Sequence, residues 1–367
     1  MSLARVGFEI VHLAPGSGEN CRKKNVLVQT YKPQSGFMGR IAQLFKLYRL
    51  AADIDADCYH CNEVDSWILG VLLKLFKGKV CIFDVHEHYP SRFVGRRNIP
   101  VPIGLAVGGC IYLLYWILTP LTDYIVLAKN SVAIDFKRHK EKLILVRNFS
   151  PLIFLKNKPN NHTRISPNKE TLQMIHLGLI NKDRGWPQIL RSMTSVQKLN
   201  LLIVGRFDDG SRSEFENEVR RLGLERRVKI EDWMPFQEAL ERILCSDIGL
   251  VMFQPGKLNY IYAMPHKMFD YMLAGIAVVV PNFAEEIADI VDESKCGILI
   301  DTSIPEQLAI ALNRLKDSGV RERMGENGRK AVIEKYNWEG EALKLIAMYQ
   351  DIQRIKNARE PELFEHG

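Results

Sequence analysis

The sequence predicts an α/β protein of two Rossmann-like lobes, each on a parallel sheet, with a cleft between them. Three observations predict it. Strand-like apolar runs alternate with amphipathic helical patterns along nearly the whole chain, the pattern of βαβ units. The 367 residues, 47% hydrophobic and 25% charged, are enough for two lobes that each bury a core, and too apolar for disorder. Between the halves, Ser150–Thr171 is rich in Pro, Asn, Lys and Ser and has no sustained apolar period, which marks a linker.

The chain opens as the end of a helix, stops at Gly7 and enters a strand. In the first half Phe8–Ala14, Cys58–His60, Lys79–Asp84, Tyr124–Ala128 and Leu143–Arg147 read as strands, with Met38–Ala52 and Ser66–Leu75 as helices. In the second half the strands are Gln173–Leu179, Leu199–Arg206, Arg227–Trp233, Ile248–Phe253, Ile276–Pro281 and Gly297–Ile300. The helices there are Trp186–Val196, Ser213–Leu222, Gln237–Cys245, His266–Ala274 and Pro305–Asp317. Ligands of doubly wound lobes sit at the carboxyl ends of the strands.

One segment departs from this pattern. Val101–Leu121 runs 21 residues without a charge, long enough for a membrane span. Pro102, Gly104, Gly108, Gly109 and Pro120 interrupt it, and a span would leave the strand Tyr124–Ala128 on the wrong side of a bilayer. Core packing is therefore its first reading and peripheral contact with a membrane its second, with Lys137-Arg138-His139-Lys140 suited to anionic headgroups.

The formal charge of +7 is uneven. Residues 1–170 carry 24 basic and 13 acidic side chains, net +11, and 171–367 carry 26 and 30, net −4. The first half therefore meets something anionic. No nucleic-acid motif accompanies the charge, so nucleic acid is not the expected partner. Seven scattered cysteines read as reduced thiols and no secretory signal opens the chain, which points to the cytoplasm. Cys58-Tyr59-His60-Cys61 has no second ligand pair to complete a zinc site, so no metal is expected.

No GxGxxG, GxxxxGK[ST], GxSxG or HExxH pattern occurs, so dinucleotide, P-loop and hydrolase chemistries lack their fingerprints. Asn259–Gly275 is the most informative stretch. Pro265 fixes the first turn of a helix whose free N–H groups, beginning at His266, suit a diphosphate, and Lys267 adds a positive charge. Asp270 lies one turn on, where a carboxylate can accept two hydrogen bonds from ribose hydroxyls. The alternative is that Lys267 and Asp270 only pair on the helix surface. Gly178–Gly185 is a second loop at the same end of the sheet, where Arg184 can neutralise phosphate oxygens. Arg206 ends the next strand, and the loop with Met234 follows the one after.

The segments HLGLINKDRG, LLIVGRF, PHKMFDYMLAGIAVVVP, EIADIVDESKCGILID and GRKAVIEKYNWEGEALKLIAMY resemble the C-terminal lobe of retaining family-4 glycosyltransferases of the GT-B fold. YHCNEVD, FDVHEHYPSRF and VRNFSP are similar to first-lobe motifs of members that build bacterial surface polysaccharides. The resemblance implies transfer of a sugar from a nucleotide-sugar, UDP- or GDP-linked, to an acceptor hydroxyl with retention and without a metal or other cofactor. By resemblance Arg184 and Lys267 bind the diphosphate, Asp270 the ribose and the backbone near Met234 the base, while His86 faces the donor sugar. The family's pair of acids spaced E-x7-E falls at Tyr262 and Asp270, and no carboxylate lies between Asp247 and Asp270; Asn259 or a backbone N–H near Tyr262 is expected to replace the first acid. The family's phosphate-loop Arg falls at Leu179, leaving Arg184 alone. The resemblance also implies a first strand and loop ahead of residue 1.

The expected function is therefore a hexosyltransferase of surface polysaccharide, capsule or lipopolysaccharide biosynthesis. It would act on a glycan or polyisoprenoid-linked acceptor, in the cytoplasm or on the inner face of its membrane. A catalytically silent GT-B scaffold and a nucleotide-sugar epimerase are the alternatives. The expected domains are 1–155 on the acceptor side, a linker at 156–171, a donor lobe at 172–336, and a terminal helix at 337–367 that crosses back to the first lobe.

Overall fold

A computed structural model describes residues 1–34, 36–94, 99–153 and 170–364. It divides into two compact units, Met1–Arg147 with Gly340–Gly367, and Asn148–Glu339. The linker expected at 156–171 lies, but for its last two residues, outside the described residues.

The first unit holds seven strands: β1 (Ile10–Pro15), β2 (Cys21–Lys23), β3 (Val26–Tyr31), β4 (Cys58–Cys61), β5 (Val80–Val85), β6 (Tyr124–Leu127) and β7 (Leu143–Leu145). The last four form one parallel sheet in the order β4-β5-β6-β7. The strand expected at Phe8–Ala14 is β1, but it belongs to a separate sheet, β1-β3-β2, in which β2 runs antiparallel to β3. Sequence reading missed β2 and β3. Their hairpin turns through Lys24 and Asn25, both left-handed at φ 47 and 65, without the glycine that signals such turns, and β2 is wholly exposed.

Helices α1 (Ser2–Arg5), α2 (Phe37–Ile54), α3 (Val64–Lys77) and α4 (Val101–Leu118) complete this part of the unit. Glu63 and Ser66 cap the start of α3 reciprocally. The core gathers on Trp67, whose ring stacks on Phe83 at 4.0 Å while its Nε1–H donates to Thr122 Oγ1 at 2.8 Å. Tyr89, Tyr115 and Phe136 close around the pair. The long terminal helix, Trp338–Phe364, brings Tyr349 to this unit, edge-on to Phe8 at 5.6 Å.

Core packing as the first reading of Val101–Leu121 fails for most of α4. Only Gly104, Gly108, Ile111, Tyr115 and Leu118 are buried, while Ile103, Leu105, Leu113 and Trp116 are each more than half exposed. The uniform apolarity hid a one-sided helix, because the side that packs is chosen by two glycines and not by hydrophobicity.

The second unit is one six-stranded parallel sheet, β8 (Leu172–Ile180), β9 (Leu199–Phe207), β10 (Val228–Glu231), β11 (Ile248–Leu250), β12 (Ala277–Pro281) and β13 (Gly297–Ile300). Its order is β10-β9-β8-β11-β12-β13. Burial on both faces explains the unbroken apolar runs. Ala277 and Val279 of β12 face a cluster with Ile189, Leu190 and Leu312, and Val278 and Val280 face one with Phe269 and Met272. The helices Trp186–Ser195, Arg212–Arg221, Phe236–Leu244, His266–Ala274 and Pro305–Arg314 match the expected ones within one to three residues at their ends.

The chain moves outward from β8 through β9 to β10, then returns beside β8 as β11 and moves outward the other way. The switch point of the sheet therefore lies between β8 and β11, where doubly wound folds bind ligands.

Candidate functional site

The loops that leave β8 and β11 carry the groups that meet at this switch point. After β8, Asn181 turns the chain: its Oδ1 accepts from the Arg184 N–H at 2.8 Å, and its Nδ2 donates to Asp208 at 2.8 Å. Arg184 is thereby aimed at the residues after β11. Its guanidinium lies 5.3 Å from the centre of the Phe253 ring. From the first turn of the helix His266–Ala274, the Lys267 ammonium lies 5.9 Å from the same ring. Tyr260 stacks on Phe253 at 4.7 Å, and Lys257, paired with Asp183, sits over Tyr260.

Two cations thus converge on one aromatic ring, and among the described residues neither has a carboxylate within ion-pairing distance. Lys267 is only 7% exposed. Burial first, and then the charge of Arg184, holds its amine well below the usual lysine range. Its nearest polar neighbour is Nε2 of the fully buried His176, at 3.3 Å, and that atom also lies 3.0 Å from the Leu179 carbonyl. A ring nitrogen that donates to a carbonyl cannot also accept from an ammonium, so one contact always goes unmade. His176 Nδ1 and Arg184 Nε are buried with no partner. Burial, with Lys267 next, keeps His176 neutral. Ring faces offset part of this cost. A bound anion would offset the rest.

Asp270, on the same helix, does not pair with Lys267, and neither is a surface group. It is 5% exposed and accepts from Ser150 Oγ at 2.5 Å. Burial pushes its carboxyl up to about 7, against the Ser150 hydrogen bond. Pro265 occupies the capping position just ahead of the helix instead of its first turn, and His266 is exposed beside it. Gly178 pairs with Gly205 across β8 and β9, and a Cβ on Gly205 would stand 1.9 Å from the Gly178 carbonyl oxygen. The two glycines let these strand ends close together. Arg206 follows, its guanidinium 5.8 Å from the exposed Trp233 ring, while Met234 turns toward the core.

The expected stand-in for the family's first acid is corrected. The Tyr262 N–H donates to Leu258 O at 2.9 Å, and those of Tyr260, Ile261 and Ala263 are similarly used, because Leu258–Ile261 forms a short helix. No backbone donor is left there. Asn259 lies in that helix, partly buried.

His86, in the first unit, follows β5. Its Nε2 lies 3.1 Å from Asp84 Oδ2, and Nε2 of His60 lies at the same distance from the same oxygen. The carboxylate can only accept, so both rings donate; neutral His60 then accepts from the Tyr349 hydroxyl through Nδ1 at 2.9 Å. Burial pushes Asp84 up, but the two histidines outweigh it and hold the carboxyl well below its usual range. Asp84 in turn raises His86 above the usual histidine value. Glu87 takes no part and pairs with Arg92 at 3.1 Å.

Sequence reading missed Phe253, Tyr260, His176, Ser150 and His60. For Phe253 a signal was present: an aromatic directly after a strand at the ligand end of the sheet.

Residues 157–331 match the family model of glycosyl transferases group 1. An uncharacterized glycosyltransferase of Methanocaldococcus jannaschii is 21% identical over 307 residues, 80% of this chain and 75% of that one. Among solved structures, sucrose-phosphate synthase from Thermosynechococcus elongatus aligns with a TM-score of 0.74 at 16% identity, over 96% of this chain and 91% of that one. HepE of Anabaena in complex with UDP-glucose aligns with a TM-score of 0.67 at 12% identity, over 95% and 99%. These likenesses show the fold, two Rossmann-like lobes of the GT-B kind. With the family match they support a GT-B glycosyltransferase that uses a nucleotide-sugar. All of the switch-point groups after β8 lie within the matched residues.

Proposed function

We propose that the protein is a retaining hexosyltransferase that moves a sugar from a UDP- or GDP-sugar to a lipid-linked or growing surface glycan, without a metal. The convergence of Arg184 and Lys267 on Phe253 with no carboxylate beside them carries the reading, since two unpaired cations at a switch point call for an anion of more than one charge. A diphosphate has that charge, and neighbours of the same fold were solved with UDP and UDP-glucose. In this role the two cations stabilise negative charge that develops on the leaving nucleoside diphosphate. His86, oriented by Asp84, is the first unit's candidate for a hydrogen bond to the sugar or leaving phosphate. Arg206, Trp233 and Met234 are candidates for the base.

Thermal-shift titration with UDP, GDP, ADP and CMP tests the donor site. A ligand at about 100 times its Kd stabilises by roughly 2.7 kcal/mol, a rise of about 5–10 °C for a unit of this size. A rise with UDP or GDP that Arg184→Ala removes supports the site; no rise with any of the four refutes it. Turnover unchanged by a chelator would support metal independence. A catalytically silent protein is the second reading, favoured by Tyr262 at the place of an acid and by Ser150 on the Asp270 carboxyl. It predicts no donor turnover even where a nucleotide binds.

A further inference from the structure

We infer that the outward face of α4, together with the basic segment after β6, docks on an anionic lipid bilayer with the helix lying in the plane of the surface. This goes beyond the donor-site reading and stands without it.

The buried positions of α4, 104, 108, 111, 115 and 118, are spaced four, three, four and three apart, one straight stripe. At its start the stripe is a pair of glycines against backbone. A Cβ on Gly104 would stand 2.7 Å from the Phe93 carbonyl oxygen, and one on Gly108 2.5 Å from that of Pro90. Close approach commits this side of the helix to the unit. The opposite side carries Val101, Ile103, Leu105, Leu113, Trp116 and Ile117, between 44% and 67% exposed, and no charged residue. Scattered apolar side chains are ordinary on a surface, but six on one face of one helix form a contiguous patch of the kind that marks an interaction surface.

Topology rules out a crossing. The helix joins β5 to β6, which are hydrogen-bonded neighbours in register from Ile82↔Tyr124 to Val85↔Leu127. Both of its ends therefore return to one sheet on one side of any bilayer. What is left is a helix with one face on the protein and the other on the acyl boundary.

Charge selects lipid over protein as the occupant. The first unit has 24 basic and 17 acidic residues, so it carries the whole formal charge of +7, and the second unit is neutral. A second copy would bring a like charge to this face. The segment Asn130–Lys142 is held beside α4 by Phe136, stacked on Tyr115 at 4.8 Å, and it exposes Lys137, Arg138 and Lys140. Lys142 is not among the free cations: its ammonium donates to the Thr119, Pro120 and Thr122 carbonyls at the end of the helix.

Vesicle co-sedimentation of the full chain tests this, with phosphatidylcholine alone and with phosphatidylcholine mixed with phosphatidylglycerol. The protein should sediment with the mixed vesicles and be released by salt or alkaline carbonate. Lys137→Glu with Arg138→Glu and Lys140→Glu should weaken binding to mixed vesicles roughly a hundredfold. Leu113→Ser with Trp116→Ser, both exposed and so without cost to folding, should weaken it by about tenfold or more. Unchanged thermal midpoints would show that both variants fold. The inference is overturned if the chain stays in the supernatant with both vesicles, if neither variant changes binding, if carbonate fails to release it, or if it sediments without vesicles because copies cover this face.

Discussion

The protonation of Asp270 offers the most direct test of the buried chemistry beside the donor site. Its carboxyl stands at about 7 in the fold against 3.8 for the free group, with burial as the cause. Between about pH 4 and pH 7 the folded chain keeps a proton that the unfolded chain has lost, so this group's contribution falls as pH rises through that window and is flat above it. Each pH step costs about 1.4 kcal/mol, for a total of about 4 kcal/mol at pH 8 and about 2 kcal/mol at pH 5. Asp270→Asn keeps an acceptor for Ser150 Oγ and removes the ionisation. The variant should therefore gain on the wild type by about 2 kcal/mol between pH 5 and pH 8, a relative rise of roughly 4–8 °C in the midpoint. Scanning calorimetry of both proteins across this range without nucleotide measures it. A midpoint difference that does not change with pH would refute the argument and place the ionised carboxylate in a better-solvated setting than its 5% exposure implies.

Two further outcomes follow from the same reasoning. Lys267→Met removes a buried cation that has no carboxylate beside it, so it should raise the midpoint of the nucleotide-free protein by about 1–3 kcal/mol while weakening nucleotide binding about ten- to a hundredfold by calorimetry. A loss of stability with unchanged binding would show that the ammonium is structural. Asp84→Asn removes the charge that holds both His60 and His86, and should lower the His86 pKa toward the free value, read from its ring proton by NMR titration. An unmoved titration would mean that Asp84 does not orient the ring.

The strands of the second unit were legible because burial on both faces writes itself as unbroken apolar runs, as at β12. The ligand end of that sheet was legible too, since Arg184 and Lys267 each stand at a loop or helix start that follows from local pattern. What was not legible is who meets whom. Ser150 lies 120 positions from Asp270, and the bond between them changes a ribose candidate into a buried acid of raised pKa. Tyr349 lies 289 positions from His60.

Local pattern by itself determined the α/β class, the alternation of strands and helices, the uneven charge and the cationic loops, because each depends on neighbours within a few turns of chain. Tertiary structure alone decided that Arg184 and Lys267 share one ring with no acid between them, that the Tyr262 N–H is already used, and that α4 shows half its circumference to solvent. These depend on how close two backbones come and on which polar groups find partners there. Two glycines of α4 admit the Pro90 and Phe93 carbonyls on one side, and that contact, which no periodicity records, leaves the other side for a bilayer.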